Sequence, residues 1–197
     1  MAYMSPGFRP PGPPAVHIRA KQDSDTPALL PLLLAVHHAD GYPRHLPADQ
    51  AAFVTSRHET AAWVAVRAGQ IVGHIALHQA SGDPTLRTAQ RATELPPDRL
   101  AVVARLLVAS TIRRAGLGRR LLTTATEHAA ARGQQAVLDV VQDAMAPIAL
   151  YEAAGWLRLQ ALTVTRNDGT SLDLWVYLAP MRAPAAAAGD GERQPSD

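Results

Sequence analysis

The chain has 197 residues, 47% apolar and 18% charged, with Lys+Arg 19 against Asp+Glu 17 and no cysteine. That length fits one domain with a real core, and the missing cysteines exclude a disulfide scaffold, thiolate metal sites and a cysteine nucleophile. The net charge of +2 is small, and Lys21 is the lone lysine among spread arginines, so no nucleic-acid partner is expected. No apolar run approaches the ~20 residues of a membrane-spanning helix, and the proline-rich start lacks the apolar segment of a secretory signal. A cytoplasmic protein with no membrane association is the expectation.

Residues 1–14 carry five prolines and residues 182–197 lack apolar periodicity, so both read as disordered tails around a domain at 15–181. Val16 to Ala20 alternates as a strand, and Thr26-Pro27 opens a helix running to about His38, weakened at Pro31. A short helix is expected from Ala48 to about Arg57. Trp63–Arg67 and Gln70–His78 form a hairpin across Ala68-Gly69. Ser81 to Asp98 is polar, carries prolines at 84, 96 and 97, and reads as a long loop. Leu100 to Val108 is a strand buried on both faces. A helix follows from about Leu117 to Arg132, stopped by Gly133, then a strand at Ala136–Val141 and a helix at Pro147–Ala154 stopped by Gly155. Leu157–Val164 and Ser171–Leu178 form a last hairpin across Asn167-Asp168-Gly169. Hairpins mixed with strand–helix–strand crossovers predict one mixed sheet with helices on both faces.

The chemistry concentrates where the strand ending at Val108 turns through Arg113-Arg114-Ala115-Gly116-Leu117-Gly118-Arg119-Arg120 into a helix. The first N–H groups of a helix lack internal partners and lie at the positive end of its dipole. Two glycines and flanking arginines suit a phosphate or pyrophosphate there. No Gly-Lys-Ser/Thr follows, and position 121 is leucine rather than a third glycine, so neither a P-loop nor a dinucleotide fingerprint fits.

Arg113 to Gly118 resembles the Arg/Gln-x-x-Gly-x-Gly/Ala loop of the GCN5-related N-acetyltransferase (GNAT) superfamily, preceded by the strand end Leu106-Leu107-Val108. Ile148-Ala149-Leu150-Tyr151-Glu152-Ala153-Ala154-Gly155-Trp156 resembles that family's second signature, Ala-Ile-x-Leu-Tyr-x-x-x-Gly-Phe/Trp. The resemblance spans roughly residues 16–181. It implies an α/β fold with a mixed, mostly antiparallel sheet of about seven strands, the fourth and fifth splayed, and acetyl-CoA as co-substrate. Its pantetheine would pair along Leu106, Leu107 and Val108. The pyrophosphate would rest on the backbone of Arg113, Arg114, Ala115, Gly116, Leu117 and Gly118, with Arg113 and Arg119 supplying charge. The oxyanion would meet the backbone N–H near Val108. Tyr151 would protonate the departing thiolate; the plain alternative is a tyrosine packed beside Leu150.

Two positions depart from the family pattern. Val102 stands where many members carry a glutamate base, and Ala144, beside Asp143, stands where an asparagine often touches the pantetheine. His74 and His78 are candidate bases, on one strand face opposite Ile71, Gly73, Ile75 and Leu77, although histidines on a half-buried sheet face need no such role. Glu94 and Asp98 could reach an acceptor from the loop. Asp139 interrupts an apolar strand and must pair with a donor or point into a cleft. His37-His38 with Asp40, and His58-Glu59, do not complete a metal site, and none is expected. The expected function is direct acetyl transfer to an amine, on a small molecule or a protein, by a monomer or homodimer. The alternative is an inactive acyl-CoA-binding sensor.

Overall fold

The computed structural model describes residues 14–166 and 168–181. The expected tails therefore lie outside the described residues except for Pro14, as does Asn167 of the last turn. In chain order the elements are β1 (His17–Ala20), α1 (Thr26–Asp40), α2 (Gln50–Val54), β2 (Glu59–Arg67), β3 (Gln70–His78), α3 (Pro84–Thr93), β4 (Leu100–Val108), α4 (Leu117–Ala131), β5 (Gln135–Val141), α5 (Met145–Ala153), β6 (Leu157–Thr165) and β7 (Ser171–Leu178). The seven strands form one sheet in the order β1-β2-β3-β4-β5-β7-β6. Every neighbouring pair is antiparallel except β4–β5, which is parallel.

Side chains alternate across this sheet and divide the core. Ala65, Ile75, Leu77, Val103 and Leu138 face α4 and α5, where Leu117, Leu121, Leu122, Ala125, Ile148 and Tyr151 close a continuous apolar layer. Their strand neighbours face the other way. Val64, Val66 and Leu107 pack under Leu29, Leu32, Leu33 and Val36 of α1, with Val54 of α2. Leu100, Val102, Val137 and Val176 pack under Leu86 and Ala89 of α3. Helices thus cover both faces, as the pattern of hairpins and crossovers predicts.

The segment 81–98 is a correction, because its centre is α3 rather than a loop. The Asp83 carboxylate accepts from the N–H groups of Thr85 and Leu86 at 2.8 and 3.1 Å, and Pro84 occupies the first turn. Both features begin a helix. Thr85, Leu86, Thr88 and Ala89 are the buried residues, with arginines and glutamine between them. A buried stripe with Leu86 as its one large apolar residue made the stretch read as polar.

The fork that positions the site comes from β4. Its parallel pairing with β5 covers only Leu100–Gln135, Ala101–Ala136 and Val102–Val137, after which the two strands part. Its antiparallel pairing with β3 continues to Val108 but slips between His74–Leu107 and Ala76–Ala104, so that Arg105 and Leu106 oppose Ile75 alone. Arg105 takes the left-handed φ of 57° that this bulge imposes. The extra residue inverts the side-chain parity of the strand. Ala101 and Val103 face α4, whereas Leu107 faces α1.

Candidate functional site

The glycine turn after β4 leads into α4 as the sequence predicts. Gly116 precedes the first helical residue with φ 75°, a conformation natural to glycine, and a Cβ there would meet open space. Gly118 serves differently: a Cβ would come 3.2 Å from Leu150 Cδ2, so this position lets α4 lie close to α5. The Arg120 N–H already bonds to the Gly116 carbonyl, so the N–H groups just before it face outward at the helix start. An open groove of about 620 Å³ beside this start is lined by Ile18, Gly116, Arg119, Arg120, Thr123 and Thr124.

The arginines of the turn are held by protein contacts. Arg113 forms a bidentate ion pair with Asp40 at the end of α1 and reaches the Val108 carbonyl at 3.3 Å. Arg119 donates to the Ala153 carbonyl, and Arg120 to that of Val16 at 3.0 Å. Arg114 is exposed, with φ 64°. Across the fork Arg44 pairs with Asp143, which follows β5. Residues 40–44, between α1 and α2, are thereby pinned to both rims of the fork.

Tyr151 lies on α5 with its ring against Tyr177 and Trp156. Burial pushes its hydroxyl pKa well above the ordinary value, and nearby Tyr42 and Asp139 add to the rise. The group therefore stays protonated across any working pH. No hydrogen bond of this hydroxyl is found among the described residues. The O–H is protonated and uncommitted, and its raised pKa makes it a weaker acid than an ordinary tyrosine.

Asp139 is the polar residue of β5 two positions beyond the last paired residue, Val137. It faces α3 and accepts a 2.7 Å hydrogen bond from the Thr85 hydroxyl. The residue is open to solvent, yet the surrounding walls raise its carboxyl above the usual range. The Thr85 bond works against that rise, and the negative Asp83 reinforces it. The sequence anticipates either a donor partner or a place in the cleft, and Asp139 has both.

The histidines require a correction. His74 is fully buried and His78 nearly so, because α1, α2 and α3 cover the face on which they stand. That face is not half-open, and Ile71 shares it, since the β2–β3 register slips between Ala65 and Val66 and displaces Val72. His74 Nδ1 contacts the Arg105 carbonyl at 2.9 Å, which ties it to the bulge. Desolvation, helped by the Arg105 charge, brings both histidines down to about 4. Their Nε2 atoms have no partner among the described residues. A neutral, enclosed imidazole is a poor receiver of a substrate proton. Glu94 ends α3 and Asp98 lies in the turn just before β4, and both are exposed. Val102 is buried under α3.

Two residues of this cleft, Arg105 and Phe53, escape a reading of the sequence. Arg105 interrupts the apolar run of β4, and the bulge swings its guanidinium over the Phe53 ring, 3.7 Å from the centroid. Its Nε donates to the Phe53 carbonyl at 3.0 Å. Tyr42 lies beside Arg105, and burial raises its hydroxyl pKa against the opposing pull of that charge. The available signal was arithmetic. In unbroken alternation with Ala101 and Val103, Arg105 would enter the apolar α4 face, so a charged side chain there demands a bulge.

A model of the acetyltransferase (GNAT) family matches residues 27–156. Among solved structures, a ribosomal-protein-alanine N-acetyltransferase from Brucella melitensis is 24% identical with a TM-score of 0.62, covering 84% of this chain and 99% of that one. The ribosomal-protein-S18-alanine N-acetyltransferase from Escherichia coli is 18% identical with a TM-score of 0.58, covering 91% of this chain and 100% of that one. Arabidopsis thaliana NAA60 in complex with acetyl-CoA is 17% identical with a TM-score of 0.62, covering 83% and 97%. No curated protein matches the sequence. At these identities the solved structures speak to the fold, which has the same architecture as the seven-stranded sheet described above. The family match covers more than half of the chain, and the protein belongs to the GNAT acetyltransferase family.

Proposed function

We propose that the protein transfers the acetyl group of acetyl-CoA directly to an amine. The observation that carries this reading is the fork: beyond Val102 the β5-side edge of β4 has no strand partner, and its far end runs into a helix N-terminus with outward N–H groups. An extended amide-bearing chain fits the open edge as an added strand, and a pyrophosphate fits the helix start. Leu106, Leu107 and Val108 would hold the pantetheine. Gly116 to Arg119 would hold the phosphates, and the groove beside Arg120 and Thr124 has room for the nucleotide end.

The chemistry follows from the side chains that meet at the fork. The amine nitrogen attacks the thioester carbonyl, whose oxygen is met by backbone N–H near Val108. Asp139 takes the proton that the amine loses; a carboxyl of raised pKa suits this task better than an ordinary one. The C–S bond breaks, and Tyr151 gives its proton to the sulfur. Asp139 thus fills on β5 the role that Val102 leaves empty on β4. The buried Val102 is the one feature favouring a second reading, a binding module without turnover.

Acetyl-CoA should raise the melting temperature by mass action on the folded state. Gly118→Ala should keep that shift with a small packing cost against Leu150, while Gly118→Glu should abolish it by driving a long side chain into Leu150 and moving the start of α4. An undiminished shift in the glutamate variant sinks the cofactor assignment. Release of free CoA with a broad amine panel then separates an enzyme from a binding module.

A further inference from the structure

The cleft between the α1–α2 segment and α3 presents two opposite charges that do not neutralise each other. Arg105 on β4 and Asp139 on β5 sit on adjacent strands just past their last pairing, and extending that register would set Asp139 opposite Ala104, next to Arg105. Neither forms an ion pair among the described residues. Arg105 commits its Nε and one face of its guanidinium to Phe53, and the Tyr42 hydroxyl also meets its side chain. That anchoring fixes the fork-shaped end of the side chain, the part that binds carboxylates bidentately. Asp139 is likewise fixed, by Thr85. Both side chains are therefore held in position before any ligand arrives, which spares the entropy of ordering them.

A folded protein ordinarily lets such neighbours pair, since an uncompensated charge in a cleft is costly. Here the splay of the strands and the left-handed backbone of Arg105 keep them apart. The segment 40–44, pinned through Asp40–Arg113 and Arg44–Asp143, bridges the mouth of the fork. We propose that the acceptor is a small amino acid, its carboxylate bound by Arg105 and its amino group received by Asp139. This rests on the acetyltransferase reading above and narrows its acceptor to one chemical class. An amide or a decarboxylated amine would leave the terminal nitrogens of Arg105 without a carboxylate, so discrimination should be large.

The test is a panel of free amino acids of varied side chain, each matched with its amide and its decarboxylated amine, assayed for CoA release. The best acid should exceed its amide and amine in kcat/KM by about 10²-fold or more, through KM chiefly. Arg105→Gln should collapse that ratio toward one while retaining turnover of the neutral amine, and Arg105→Lys should restore part of it. Melting temperatures of these variants, with and without acetyl-CoA, establish that they fold and load. A readout free of turnover is the added thermal shift that the free amino acid gives to CoA-saturated protein, which Arg105→Gln should remove. Amides, amines or peptide N-termini serving as well as the acids overturn the inference and leave the acetyltransferase reading standing. So does an acid preference that survives in Arg105→Gln. Silence of every amine, with acetyl-CoA still bound, overturns the reading itself and the inference with it.

Discussion

The two faces of the sheet are built to opposite specifications. The α4–α5 face is one continuous apolar layer from β2 to β7, with Leu121, Ala125 and Ala129 fully buried at its centre. The α1–α2–α3 face is two separate apolar patches, and between them runs a polar seam of His74, His78, Arg105 and Asp139. One face fixes where α4 starts and hence where its outward N–H groups lie. The other leaves a gap in its own packing and fills it with titratable and charged groups. The difference teaches that the continuous core and the polar groups are concentrated on opposite sides of a single sheet, with Tyr151 the polar-tipped residue of the apolar side and β4 contributing to both.

Substitutions should break this division in a definite order. Asp139→Asn should lower kcat/KM by ~10²–10⁴-fold, the usual range for a proton-transfer group, while changing the melting temperature little. Because the carboxylate is the active form, activity of the parent should rise with pH through a carboxyl pKa above the ordinary range, and the asparagine variant should lose that limb. Tyr151→Phe should depress kcat toward the lower end of the same range and leave acetyl-CoA affinity nearly intact. Wild-type turnover in that variant would return Tyr151 to packing against Trp156 and Tyr177.

The apolar face should answer in the opposite currency. Leu121 is fully buried, and Leu121→Ala should cost ~2–5 kcal/mol by denaturant unfolding, with kcat per folded molecule unchanged. A large loss of kcat in the folded variant would erase the distinction between the faces.

The histidines sharpen the comparison, because they lie in the seam yet are shielded like core. With folded pKa values near 4 against 6.5 when exposed, both are neutral in either state above pH 6.5. As pH falls from 6.5 to 4 the unfolded chain gains protons that the folded chain refuses, so stability declines over that window. At 1.36 kcal/mol per pKa unit the loss is on the order of 3 kcal/mol for each histidine. His74→Gln should flatten the acid-side slope of unfolding free energy by one histidine's share. An unchanged slope would mean that His74 is protonated as freely in the folded protein as outside it.

Much of this molecule was legible without coordinates. Periodicity and glycine punctuation locate β3, β4 and β7 to the residue and the remaining strands and most helices within a few positions, since these signals are local. The glycine turn into α4 and the Tyr151 helix are likewise local motifs, and they carry the family resemblance. What stayed hidden was set by contacts distant in sequence. The helix α3 was missed because its buried stripe acquires meaning only against Leu100, Val137 and Val176, on strands it does not adjoin in the chain. The histidines were placed on a half-open face because nothing in Gln70–His78 announces that α1 and α2 cover it. Composition fixed that Arg105 and Asp139 are charges in apolar strands. Only the bulge opposite Ile75 and the parting of β4 from β5 after Val102 decided that both turn toward one cleft. A side chain's type is written locally, but its direction depends on strand register, and register is settled between segments dozens of residues apart.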